Sequence, residues 1–122
     1  MAETIEVRNW TNYFKDFSAK NLKRPVKLEI FGAPGALQEV KRMPLAGVYI
    51  ELTGTNAPRA EILLGGLSAR AADNLTHTVR NVKSILTLKG GDQFESAIEF
   101  ESADGTKTLL SFESTTAETQ TA

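Results

Sequence analysis

Residues 10–31 read WTNYFKDFSAKNLKRPVKLEIF, and the spacing of their apolar side chains changes partway along. Trp10, Tyr13, Phe14 and Phe17 recur at i, i+3, i+4 and i+7, which places four rings on one side of an α-helix. From Val26 the period is two: Val26, Leu28 and Ile30 alternate with Lys27 and Glu29, the pattern of a strand with one wet face. Pro25 enforces the switch, because a proline disfavours helical geometry at the residue before it, here Arg24. The spacing predicts a helix over about residues 9–21, with Asn9 as N-cap through its side-chain oxygen. Four of the nine aromatic residues lie in this one stripe, so the helix must dock on something.

Downstream, the alternation continues in short pieces. ALQEVKRM (36–43) can form a strand ending near Pro44, which has no N–H for a ladder. GVYIELT (47–53), AEILLGG (60–66), LTHTV (75–79) and SILTLKG (84–90) read as further strands. GAPG (32–35) and GGD (90–92) read as turns, Arg80-Asn81 as a turn or bulge, and LSARAADN (67–74) as one helical turn capped by Ser68. FESAIEFES and KTLLSFES flank Asp104-Gly105, the strongest hairpin signal in the chain. Strands joined this tightly pair antiparallel, since parallel pairs need long crossovers. The expected fold is α+β, mostly β: an N-terminal helix packed on a strongly bent antiparallel sheet, or partly open barrel, of about six to seven strands. One globular unit would cover residues 1–113, with strands over about 26–113, and the polar tail 114–122 would be disordered.

Composition removes several function classes. The 122 residues carry a net charge of −1, which argues against nucleic-acid binding through a general positive field. There are no cysteines, so disulfides, thiolate catalysis and cysteine-ligated metals are excluded. No apolar run is long enough for a signal peptide core or a membrane helix, and the expected setting is cytoplasmic.

The single histidine, His77, is flanked by threonines in LTHTV and shares a strand face with Leu75 and Val79. Imidazole titrates near neutrality and can act as a general base or hold a ligand. No nucleophile or carboxylate stands near it in sequence, so a strand histidine is the favoured reading. Glu99 and Glu101 share a face in the last hairpin and could hold a hard cation, yet an alternating strand needs a polar side anyway. Lys20, Lys23, Arg24 and Lys27 form a basic run that offers a weak phosphate or nucleic-acid patch. The glycine clusters match no phosphate-binding loop. No catalytic residue, metal ligand or cofactor is assigned.

Three segments, WTNYFKDFS (10–18), MPLAG (43–47) and THTVRNVKSILTL with IEFESADGTKTLLSFES (76–88, 98–114), resemble a family of small bacterial proteins of about this length classed only as a domain of unknown function. The resemblance implies a bacterial, cytoplasmic domain and carries no activity or site residues. In that family a proline commonly follows the asparagine that here is Asn81, where this chain has Val82. The function expected is a non-enzymatic binding or interaction module, partnered by itself through sheet edges or by another protein, with neither nucleic acid nor membrane as partner. The alternative is a small-ligand carrier or enzyme with a pocket between helix and sheet, lined by Trp10, Tyr13 or Tyr49 and oriented by His77.

Overall fold

The aromatic stripe is where the helix forms. The computed structural model describes residues 2–32, 36–65, 74–89 and 95–112, and in it α1 spans Trp10–Lys20. Trp10, Phe14 and Phe17 are each 1% exposed, so these three rings are fully inside. Asn9 does not cap the helix with its side chain. A 3-10 turn over Val7–Asn9 leads directly into α1, and the Asn9 N–H donates to the Glu6 carbonyl at 2.8 Å. The chain therefore arrives already coiled, without the extended geometry a capping side chain requires. At the far end Lys23 takes a left-handed conformation (φ 71°), and its N–H donates to the Leu45 carbonyl at 2.7 Å.

Among the described residues the strands form one antiparallel sheet of eight. These are β1 (Ala2–Thr4), β2 (Pro25–Phe31), β3 (Leu37–Glu51), β4 (Arg59–Gly65), β5 (Asn74–Val79), β6 (Val82–Lys89), β7 (Glu95–Ser102) and β8 (Lys107–Phe112). Their order is β1-β6-β7-β8-β2-β3-β4-β5, and the sheet does not close. The α+β class, the helix on the sheet and the antiparallel pairing agree with the periodicity of the sequence. The strand division differs. β1 has no period of its own to betray it; it is held by backbone pairing to β6, Ala2 opposite Leu88 and Thr4 opposite Leu86.

The two strands expected on either side of Pro44 are a single strand of 15 residues. Pro44 stands opposite Pro25, where β3 exchanges β2 for β4 as its partner, so its missing N–H is not called for there. A bulge between Leu45 and Gly47 bends the strand at this exchange. The long bent strand carries the sheet around a corner and makes a half-rolled trough.

Inside the trough the helix rings meet the sheet. Phe14 stacks on Phe100 with centroids 5.7 Å apart, and Phe17 lies at the same distance from Phe112. Val26, Leu28, Ile62, Leu64, Ile85, Ile98 and Leu110 complete a continuous core. Each such buried side chain contributes roughly 1.5–3 kcal/mol relative to exposure.

The hairpin expected at Asp104-Gly105 is present. Gly105 is left-handed (φ 93°) and the Ser102 N–H donates to the Thr106 carbonyl at 2.9 Å. The Arg80-Asn81 corner joins β5 to β6, with Asn81 left-handed (φ 52°) and the Val82 N–H donating to the Pro58 carbonyl at 2.8 Å. A proline at 82 would lack that donor. The turns expected at GAPG and GGD, the capped turn at Ser68, Phe94 and the tail 114–122 fall wholly or mainly outside the described residues.

Candidate functional site

The half-rolled sheet leaves part of β3 with an unpaired edge. β2 pairs with β3 only as far as Pro44, so beyond the bulge β3 has β4 on one side and, among the described residues, no strand on the other. The helix comes alongside instead. Ser18 Oγ accepts the Val48 N–H at 2.9 Å and donates back to the Val48 carbonyl at 3.2 Å, standing in for a neighbouring strand. Because backbone groups alternate sides along an antiparallel strand, Ile50 directs its N–H and C=O the same way as Val48. No second serine meets them: Thr11 and Lys15 occupy the next positions up the helix, and among the described residues no hydrogen bond outside the β3–β4 ladder involves Ile50.

The result is a groove of about 520 Å³ between α1 and the β3 edge. Its helix wall is Thr11, Lys15, Ser18 and Ala19, a second helical stripe that the aromatic one conceals in the sequence, continued past the helix end by Leu22. Its strand wall runs from Ala46 to Glu51. Leu22 and Tyr49 are 54% and 52% exposed, so the rim is apolar and wet. Tyr49 folds back over Gly47, where an added Cβ would stand 3.0 Å from the ring.

A second hollow, of about 260 Å³, opens at the end of the trough where β5 faces β2 and β8. His77, Thr78, Arg80 and Asn81 line one side, and Ser102, Asp104, Thr106 and Thr108 the other, over Ile30. His77 is half-buried on the face it shares with Leu75 and Val79, as its alternation implied. Asp104 is the carboxylate that sequence proximity could not supply to this hollow, since the two residues come to line it only through the roll of the sheet. The Asp104 Oδ1 accepts the Thr106 N–H at 2.9 Å, and that bond holds its carboxyl below the usual carboxylate range.

The other singled-out residues disperse. Trp10 is in the core, its indole N–H donating to the Ile5 carbonyl at 2.9 Å. Tyr13 is half-buried with its hydroxyl 3.4 Å from Thr87 Oγ1, in a third hollow. Only Tyr49 reaches the groove, and none of the three lies beside His77. In the basic run, Arg24 packs 4.0 Å over the Phe112 ring and donates to Asn21 Oδ1 at 2.7 Å. Lys27 lies 3.7 Å from Glu29, Lys20 closes the last helical turn, and Lys23 makes the chain reversal. On the acidic face Glu101 stands 3.6 Å from Lys83, and no group of three or more His, Cys, Asp or Glu among the described residues could hold a metal ion.

Fold and surface together define a small α+β domain: a half-rolled eight-stranded trough filled by one aromatic helix, with a strand-edge groove outside it. The chain belongs to DUF5335, a family of unknown function whose model matches residues 1–121. No curated protein and no solved structure matches it. No helix among the described residues is long and apolar enough to cross a membrane.

Proposed function

We propose that the protein is a bacterial, cytoplasmic, non-enzymatic interaction module that takes an extended segment of a partner protein as an added strand along β3. The observation that carries this is the half-satisfied edge: Ser18 covers Val48, while the backbone of Ile50 faces an open groove. Strand addition uses such backbone groups for affinity and alternate side chains for selectivity. The walls define the occupant. Leu22 and Tyr49 ask for apolar residues at alternate positions, and Lys15 and Glu51 at the rim ask for an acidic and a basic residue beside them. A folded second copy offering its own β3 edge would bring its helix into the same space, so a single extended segment fits better than a symmetric pair.

The test is selection of binders from a random extended-peptide display library, followed by hydrogen exchange on the complex. Selected peptides should alternate apolar residues, protect the Ile50 amide, and lose at least about tenfold in affinity to Leu22→Asp. Peptides that bind elsewhere, or protection that leaves Ile50 unchanged, would overturn the reading. Light scattering adds the remaining outcome: a dimer abolished by Leu22→Asp would replace the separate partner with a second copy.

A further inference from the structure

We infer that the hollow beside His77 is a binding site for a small zwitterion of amino-acid size. This site is independent of the β3 groove, and its test leaves that reading untouched. Four polar side chains are buried among the described residues, Asn21, Thr87, Ser102 and Thr108, and two of them, Ser102 and Thr108, line this one hollow. Thr108 is inward-facing, between the apolar Phe100 on β7 and Ile30 on β2. A buried hydroxyl is costly on such a face unless it finds partners, so two together give the trough a polar mouth.

The charges at that mouth are opposite and separate. Arg80 is exposed and makes no ion pair or hydrogen bond among the described residues. Asp104 caps its own turn through Oδ1 and, among the described residues, forms no salt bridge with Arg80 across the hollow. A guanidinium and a carboxylate that share a hollow without meeting each other suit a ligand that carries both charges. Its carboxylate would lie on Arg80, with the fork geometry guanidinium favours, and its ammonium on Asp104. His77 and the hydroxyls of Ser102 and Thr108 supply a polar wall, and Ile30 a small apolar floor. The volume of about 260 Å³ has room for a small amino acid together with several waters, at about 30 Å³ for each water.

The experiment is amide-shift titration of the intact protein with glycine and L-alanine, and with acetate and ethylammonium as the two half-ligands. Both zwitterions should shift residues 77–81 and 102–108, at concentrations up to tens of millimolar, and bind about tenfold more tightly than either half. Arg80→Gln should reduce zwitterion affinity by about tenfold while leaving ethylammonium unchanged. Asp104→Asn, which keeps an acceptor for Thr106, should do the converse. Acetate binding as tightly as the amino acids, indifference to Asp104→Asn, or no shift at this mouth with any probe would each overturn the assignment.

Discussion

Replacing Ser18 with alanine tests the arrangement that both the fold and the proposed function depend on. The variant removes one acceptor for the Val48 N–H and one donor to the Val48 carbonyl. Two intramolecular bonds at about 0.5–1.5 kcal/mol each set a loss of about 1–3 kcal/mol. Two corrections lower it. Ser18 borders an open groove, so water can reach Val48 in its place, and alanine is the better helix former by about 0.5 kcal/mol. The net expectation is a loss of about 1 kcal/mol. Urea unfolding followed by the fluorescence of Trp10, the only tryptophan and a buried one, reads it directly. With a slope of about 1.5 kcal/mol per molar, the midpoint should fall by about 0.7 M. Lys15→Ala, on the same wall but exposed, should stay within about 0.5 kcal/mol of the parent. The Val48 amide should also exchange faster in Ser18→Ala. A midpoint at or above that of the parent would show that Ser18 holds nothing. A loss above about 3 kcal/mol would show that the edge is dry core, and the groove reading would go with it.

Phe14→Ala should cost about 3–5 kcal/mol in the same assay, because Phe14 is fully buried against Phe100 and the helix cannot follow the lost ring inward. Asn81 is left-handed, so Asn81→Gly should be close to neutral while Asn81→Ala loses about 1 kcal/mol; equal losses would remove the backbone argument. Asp104→Ala should show an acid-dependent difference. The folded carboxyl lies below its ordinary value of 3.8 because the Thr106 N–H bonds the ionised form. Its contribution is therefore complete above that ordinary value and is lost as pH falls through the lower folded value. The gap in midpoint between parent and variant should thus narrow below about pH 4, and a gap that holds constant down to about pH 2 would contradict the bond.

The aromatic period of residues 10–17 determined the helix and its buried face, since no other structure puts those four rings on one side. Alternation after Pro25 determined that the later elements are strands, and Asp104-Gly105 fixed the final hairpin, because a left-handed turn of that kind is set by local chemistry. What no local pattern could determine is which strand lies beside which. Pro44 looked like a strand end because proline lacks a donor; it lies mid-strand because the exchange of partner at that residue leaves the donor unneeded. β1 stayed hidden because its three residues are held by β6, some eighty positions away, and not by any periodicity of their own. The sites were hidden for the same reason. Ser18 meets Val48, and His77 comes to share a hollow with Asp104, only when the sheet rolls. Trp10 and Tyr13, named for a pocket because rings often line one, went to the core and to another hollow, since the helix stripe that carries them is what fills the trough. Side-chain period is a property of neighbours along the chain and can be read from it; a groove or hollow is a property of neighbours in space, and the tertiary fold alone decides them.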